Sequence, residues 1–194
     1  MSGAVRTMNI LVVGAGGVGA SMASIAETRS FFDSFVLADI SRERALQAIS
    51  ELDDPGKFIA EQVDAGNVHQ LVALIEKTKA DVVVNACDPR FNETIFEACY
   101  NAKCNYVDMA MNLSKPHPTD PFNQVGIPLG EEQLADHDKW KERGILALVG
   151  MGVEPGLSDI FARYAADHIF DEVHEVGVRD GSNLSIDGFD FAPT

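Results

Sequence analysis

The sequence of 194 residues has little cysteine and no closely spaced cysteine pair. Its three cysteines, Cys87, Cys99 and Cys104, are odd in number and lack C-x-x-C spacing. This argues against a disulfide framework and a zinc cluster, and it favours a reducing compartment. The first eight residues also lack the apolar stretch of a signal peptide. We therefore expect a cytoplasmic protein.

Basic residues are scarce as well, with 15 Lys and Arg against 30 Asp and Glu and a formal net charge of -15. A surface of that charge repels nucleic-acid phosphates and anionic membranes, so we expect neither as a partner. The longest apolar runs have the length of a strand rather than of a membrane span. The five histidines are scattered without i, i+4 pairing, so no metal site is predicted.

What the sequence does contain is a regular alternation of short apolar runs with longer segments of helical period. This rhythm predicts an α/β fold, a doubly wound and mainly parallel sheet of the Rossmann type with strand order 3-2-1-4-5-6. The predicted strands are Asn9–Val13, Phe35–Ala38, Phe58–Gln62, Asp81–Asn85, Asn105–Val107 and Ile145–Val149. The predicted helices are Val18–Arg29, Arg42–Leu52, Val68–Lys77, Asn92–Lys103, Glu131–Arg143 and Leu157–His168.

A glycine-rich run follows the first predicted strand and opens the first predicted helix: Gly14-Ala15-Gly16-Gly17-Val18-Gly19. In that context the pattern G-x-G-x-x-G predicts a dinucleotide site, with a plain strand-helix turn as the alternative. Gly14 permits the tight turn, Gly16 lets the backbone approach a diphosphate, and Gly19 lets the helix pack close to the sheet. Gly17 and Val18 begin the helix, whose free N–H groups and positive dipole end would face the phosphates.

Asp39 ends the second predicted strand, about 20 residues past the glycines, where a carboxylate can accept hydrogen bonds from the adenosine ribose. Ile40 follows it and is assigned to the same site. Because the charge of Asp39 would repel the 2′-phosphate of NADP, the sequence predicts NAD, although Arg42 and Arg44 keep NADP open. Asp64, after the third strand, is predicted to lie on the adenine side or to cap the third helix.

The reactive side is expected at the carboxyl ends of strands four and five, where open α/β sheets bind ligands. Ala86 and Cys87 are predicted to lie beside the nicotinamide ribose, with Cys87 as an inert small hydrophobe. Asp108 is predicted to bind a substrate ammonium or to move a proton, with a loop cap as the alternative. His117 is a weaker candidate acid or base. No tyrosine has a lysine four positions on, which argues against the short-chain dehydrogenases.

The connection from 111 to 130 carries four prolines and no clear period, and we interpret it as either a binding lid or a surface excursion. Glu172–Val178 has the pattern of a seventh strand. The predicted organisation is a disordered or tag-like N-terminus over residues 1–8 and a dinucleotide-binding domain over residues 9–171. Residues 172–194 would begin a second, truncated α+β domain.

Several segments together resemble the amino-terminal half of the saccharopine dehydrogenase family: VVGAGGVG, ADI, VVNACDPRFN, ACYNAKCNYVDMA and GMGVEPGLSD. The resemblance covers the chain from Asn9 to Thr194. It implies hydride transfer between a nicotinamide and a C–N bond of a small amine, an amino acid or a polyamine precursor. It also implies a second domain that builds the substrate pocket and a homodimer.

Carried over to this sequence, the resemblance implies that the glycine run holds the diphosphate and Asp39 the ribose. Asp64 would lie on the adenine side, Ala86 and Cys87 on the nicotinamide side, and Asp108 would face the substrate. Two other functions remain open. One is a non-catalytic dinucleotide-sensing domain, and the other is a methyltransferase using S-adenosylmethionine, which Gly19 makes less fitting.

Overall fold

The computed structural model describes residues 7–179. Six strands and seven α-helices alternate along this part of the chain. The strands are β1 (Met8–Val13), β2 (Phe32–Asp39), β3 (Phe58–Gln62), β4 (Val82–Asn85), β5 (Asn105–Asp108) and β6 (Ala147–Leu148). The helices are α1 (Gly17–Glu27), α2 (Arg42–Ser50), α3 (Val68–Thr78), α4 (Asn92–Ala102), α5 (Glu131–Ala135), α6 (His137–Arg143) and α7 (Leu157–His168).

The strands form one sheet in the order β3-β2-β1-β4-β5-β6, and every pair is parallel. The predicted doubly wound α/β fold and strand order are confirmed. Alternate residues of β1 point to opposite faces, as the pleat of a strand requires. Leu11 and Val13 enter the core layer under α3 and α4, whereas Ile10 and Val12 enter the layer under α1 and α2. Helices cover both faces, which explains the unbroken apolar run of this strand.

Three predicted elements differ in the structure. The helix predicted over Glu131–Arg143 is divided into α5 and α6 at Asp136, whose ψ of 6° leaves the helical region. Aspartate is a weak helix former within a helix interior. The strand predicted over Ile145–Val149 is only two residues long, because the Asn105 side-chain oxygen rather than its backbone accepts from the Leu146 N–H.

The seventh strand predicted over Glu172–Val178 is wrong. Residues 172–179 have no regular structure and are exposed, and within residues 7–179 no neighbouring strand pairs with them. A pattern of alternating apolar residues becomes a strand only where a partner edge is available. Met8 lies in β1, although it was predicted to belong to a disordered or tag-like N-terminus. Residues 1–6 and 180–194, including most of the predicted second domain, lie outside the described residues.

The long connection from 111 to 130 is closed at its base. Lys115 and Ile127 exchange two backbone hydrogen bonds of 2.9 and 2.8 Å, and the Gly130 N–H donates to the Asn112 carbonyl at 2.9 Å. Beyond this closure the tip is exposed, with Phe122 at 96% exposure. No helix within the described residues is long and apolar enough to cross a membrane.

Candidate cofactor-binding site

Two glycines of the run after β1 are required by close packing. Gly14 has a φ of +107°, and a Cβ there would lie 2.7 Å from the Ala86 carbonyl oxygen. A Cβ at Gly19 would lie 1.9 Å from the carbonyl oxygen of Gly14. Both contacts are with backbone atoms that cannot move aside. These two glycines therefore allow β1, β4 and α1 to meet at one point.

The other two glycines of the run face open space. A Cβ at Gly16 or Gly17 would find no atom within 4 Å, and both residues are exposed together with Val18. The first turn of α1 carries no acidic residue, and no side chain caps it. Its N–H groups and the positive end of the helix dipole are thus free to bind an anion. The cradle fits the diphosphate of a dinucleotide.

Asp39 ends β2 and faces the glycine run. One carboxylate oxygen accepts from the Ala15 N–H at 2.8 Å, and the other accepts from the Ser41 N–H at 3.0 Å. The Arg44 guanidinium lies 3.3 Å from the second oxygen. The Asp39 residue is 7% exposed. The carboxylate therefore holds the glycine run and the start of α2 together, and the oxygen that accepts from Ala15 keeps a lone pair for a further donor.

A cavity of about 340 Å³ joins these groups at the carboxyl edge of the sheet. Among the residues assigned to the cofactor from sequence, seven line it: Gly14, Gly16, Asp39, Ile40, Asp64, Ala86 and Cys87. Gly17 and Val18 lie beside it at the helix start, and Gly19 is buried behind it. Arg44 and Phe91 also line the cavity, although they were not assigned to the site from sequence.

Asp64 does not cap the third helix. The cap of α3 is Asn67, whose side chain accepts from the Gln70 N–H at 3.1 Å. Asp64 instead closes a local turn by accepting from the Gly66 N–H at 2.8 Å. Of the two interpretations of Asp64, the structure thus favours the one that places it in the cavity wall.

Cys87 lies in the cavity wall beside the first glycine of the run, and a Cβ at Gly14 would lie 3.1 Å from its sulfur. Its thiol donates to the Val13 carbonyl at 3.3 Å, and burial raises the pKa of this thiol to about 11. A thiol with that pKa stays protonated near neutral pH and is a poor nucleophile. Its environment agrees with the interpretation as a small, inert wall residue.

Asp108 has a different environment from the one predicted for a substrate-facing group. It is 1% exposed. One carboxylate oxygen accepts from the Gly150 N–H at 2.7 Å, and the other accepts from the Tyr106 hydroxyl at 2.9 Å and the Gln133 amide at 2.8 Å. Burial raises the pKa of the Asp108 carboxyl, although these hydrogen bonds oppose the rise. In this conformation the carboxylate does not reach the surface, and its contacts with three segments agree with the alternative of a loop anchor.

The hydrogen bonds continue from Tyr106 towards β4. The Asn85 amide nitrogen donates to the Tyr106 hydroxyl at 3.2 Å and to the Asn92 side-chain oxygen at 2.8 Å. The Asn85 oxygen accepts from the Cys87 N–H at 3.0 Å, and the Asn92 amide donates to the Ala110 carbonyl at 2.6 Å. We call Asn85, Asn92, Tyr106, Asp108 and Gln133 the buried polar network.

His117 is engaged locally in the 111–130 connection. Its Nδ1 accepts from the Asp120 N–H at 3.2 Å. His117 does not line the cavity that contains Asp39 and the glycine run. The structure therefore does not bring His117 and Asp108 to one place with the cofactor residues.

The chain is similar to known proteins in both sequence and fold. A family model described as the saccharopine dehydrogenase NADP binding domain matches residues 10–148. This chain belongs to the saccharopine dehydrogenase family. The matched region spans β1 to β6, so the cavity at the glycine run belongs to a domain of the NAD(P)-binding type.

Two curated relatives of this family member are enzymes with longer chains. Carboxynorspermidine synthase of Vibrio cholerae is 34% identical over 181 residues, covering 89% of this chain and 43% of the relative. Carboxyaminopropylagmatine dehydrogenase of Synechocystis is 31% identical over 171 residues, covering 88% of this chain and 41% of the relative. The chain thus spans less than half the length of these two relatives.

The fold of this family member also matches a solved structure. Saccharopine dehydrogenase (L-Glu forming) from Saccharomyces cerevisiae superposes with a TM-score of 0.63 at 17% identity, covering 84% of this chain and 31% of the yeast chain. At that identity the similarity establishes the fold alone.

Proposed function

We propose that this chain is the cofactor half of an NAD(P)-dependent oxidoreductase that makes or breaks a C–N bond in an amino-acid or polyamine precursor. The observation that carries the proposal is the bare glycine cradle, which opens on a cavity bounded by Asp39. The names of the two curated relatives support the substrate class. When bound, the nicotinamide supplies or accepts the hydride.

The residues of this chain bind the cofactor and orient it. The N–H groups at the start of α1 hold the diphosphate, and Asp39 accepts from the adenosine ribose through its free lone pair. Asp64 and Ile40 form the wall on the adenine side, and Ala86 lies on the nicotinamide side.

We also propose that NAD is preferred over NADP. The Asp39 carboxylate stands where the 2′-phosphate would lie, and two like charges at that distance repel each other. Arg44 opposes this preference because its guanidinium pairs with Asp39 and lines the same cavity. The balance between these two side chains then sets the ratio of the two affinities.

Cofactor binding is tested most sharply at Gly16. Its φ of -75° and the open space around it allow a larger residue without disturbing the fold. We expect Gly16→Val to unfold at the same midpoint as the unchanged protein. Its affinity for NADH, measured by calorimetry, should fall at least about tenfold, which corresponds to the loss of roughly one well-made interaction. Ser24→Val, on the exposed face of the same helix, is the matched control and should bind normally. Equal binding by Gly16→Val would refute the cradle.

Turnover is tested separately from binding. The full-length protein, including the second domain that the family resemblance implies, is incubated with NAD or NADP and with lysine, saccharopine and a series of diamines, and the formation of reduced cofactor is recorded by absorbance. Reduced cofactor with one class of amine would support the oxidoreductase. Tight NADH binding without turnover on any amine would favour a dinucleotide-sensing domain instead.

A further inference from the structure

The buried polar network ends on backbone groups of the loops that follow β4, β5 and β6. Asn85 accepts from the Cys87 N–H in the first loop, and Asn92 donates to the Ala110 carbonyl in the second. Asp108 accepts from the Gly150 N–H in the third. Gln133, on α5, accepts from the Asn112 N–H at 2.8 Å and donates to Asp108 at 2.8 Å. One connected set of hydrogen bonds therefore fixes three loops relative to one another.

Of these three loops, the one at Cys87 borders the cavity that Asp39 lines, whereas Ala110 and Gly150 do not line that cavity. A doubly wound sheet consists of two mononucleotide-binding halves, and β4, β5 and β6 form the half opposite the adenosine. The adenosine half is fixed independently, because Asp39 joins the glycine run to α2 through the Ala15 and Ser41 N–H groups. Hydrogen bonds from the buried polar network to Asp39 or to the glycine run are absent from the part of the chain that the structure describes.

The donors and acceptors of the network fit only one arrangement. The Cys87 N–H fixes the oxygen of Asn85, so the amide nitrogen of Asn85 must donate to Asn92 and Tyr106. Tyr106 then donates to Asp108, whose two oxygens accept from three donors. A carboxamide at position 108 would place its own N–H₂ group against one of these donors. The network thus requires acceptor capacity on both terminal side-chain atoms at position 108, which the two oxygens of aspartate provide.

We propose that the buried polar network is a positioning device for the nicotinamide half of the cofactor. Its members do not contact the cofactor; they hold the loops at Cys87, Ala110 and Gly150 in the arrangement that receives the nicotinamide ring. This inference rests on the proposed function. It assigns Asn85, Asn92, Tyr106, Asp108 and Gln133 as positioning residues, and it replaces a direct role of Asp108 with an indirect one.

The test compares two ligands that differ only in the nicotinamide. NADH occupies both halves of the site, whereas ADP-ribose lacks the nicotinamide ring. We expect Tyr106→Phe to weaken NADH binding about tenfold and ADP-ribose binding less than about twofold, measured by calorimetry. Gln133→Met, which keeps the side-chain volume, should likewise weaken the binding of NADH much more than the binding of ADP-ribose. A change that merely destabilised the domain would weaken both ligands alike.

Two matched variants complete the design. Ile75→Val loosens the same core layer without touching the network and should leave the ratio of the two affinities unchanged. Gly16→Val should weaken both ligands together, since both carry the diphosphate. Hydrogen exchange at the Cys87 and Gly150 amides gives a second readout, and we expect faster exchange at both in Tyr106→Phe and Gln133→Met.

The outcomes separate the two proposals. Equal loss of NADH and ADP-ribose in both network variants, or unchanged exchange at the Cys87 and Gly150 amides, would overturn the positioning role while leaving the proposed function intact. Failure of the unchanged protein to bind either ligand would refute the proposed function and this inference with it.

Discussion

Asp39 and Arg44 form an ion pair at the edge of the cavity, and the two side chains have opposite effects on a 2′-phosphate. The carboxylate repels it and the guanidinium attracts it. Because Asp39 is almost fully buried while Arg44 is more than half exposed, the carboxylate is the more strongly fixed of the two. The sequence could indicate both residues, but not that they are paired.

Substitution of Asp39 and substitution of Arg44 should shift the preference between NAD and NADP in opposite directions. We expect Asp39→Ala to lower the preference for NAD over NADP about tenfold, and Arg44→Ala to raise it by a smaller factor. The measured quantity is the ratio of the two dissociation constants, in which a general loss of stability cancels. Arg42→Ala, in the same helical turn and outside the cavity lining, should leave the ratio unchanged. Shifts of the same sign in both variants would contradict the assignment.

Asp108 makes the stability of the domain depend on pH. Burial raises its pKa in the folded state, so the folded protein binds a proton more readily than the unfolded chain does. Stability from this group is therefore fully present below the unfolded value of about 4 and is lost as the pH rises through the folded pKa. The unchanged protein should have a higher free energy of unfolding than Asp108→Asn. We expect this difference to increase as the pH is lowered from 7 towards 4.

Urea unfolding of both proteins across this range measures the effect. At neutral pH we expect Asp108→Asn to be less stable by about 1–3 kcal/mol, because it leaves a buried donor without an acceptor. A difference in unfolding free energy that stays constant, or that shrinks on acidification, would contradict the raised pKa.

Helix α1 packs near its start against the backbone of Gly14. Two of its glycines, Gly17 and Gly19, have different surroundings. At Gly19 an added methyl group meets the Gly14 carbonyl, whereas at Gly17 it meets nothing within 4 Å. The motif assigns close packing to Gly19 and leaves Gly17 as a variable position, and the structure agrees with this difference. The distinction depends on the position of β1 relative to the helix.

The same substitution at these two positions should have effects of opposite sign on stability. We expect Gly19→Ala to lower the free energy of unfolding by about 3 kcal/mol through overpacking against backbone. Gly17→Ala should raise it by about 0.5 kcal/mol, because alanine restricts the unfolded chain at a helical position. Chemical unfolding curves of the two variants decide this. Similar losses at both positions would show that the open space at Gly17 is filled.

At the level of elements, the sequence predicted the centres of all six strands. It missed the division between α5 and α6, where the backbone of Asp136 leaves the helical region, and it overestimated β6, where the Asn105 side chain accepts from the Leu146 N–H. The buried polar network was also missed. Asn85, Asn92 and Gln133 have the composition of loop or surface residues, and only the packing of α4 and α5 against β5 buries them. The available signal was the polar residue at the end of each strand, Asn85 in β4 and Asp108 in β5.

Across the whole molecule, the apolar surface is concentrated on α7 and the residues after it. No residue of α7 is buried, and Ile160, Phe161, Tyr164, Ile169 and Phe170 are each more than half exposed. An apolar surface of this kind on a soluble domain is typical of a surface that another polypeptide covers. The predicted homodimer and second domain stay predictions.

Exposure of this surface should make the 194-residue chain self-associate. We expect light scattering to report a mass that increases with concentration, and Phe161→Glu to reduce that increase at every concentration. Ala166→Glu adds the same charge to an exposed position elsewhere on α7 and serves as the control. A strictly monomeric chain, or equal effects of both variants, would argue against a role for this surface in association.

Trp140 is the only tryptophan of the chain, and it is 4% exposed. Its ring lies 4.5 Å from that of Phe96 and 6.4 Å from that of Tyr106, measured between centroids. The protein thus contains a single tryptophan fluorophore next to the residue that donates to Asp108. Its emission can follow rearrangement around Tyr106 without any added label, and in the same cuvette a bound reduced nicotinamide would act as its energy acceptor.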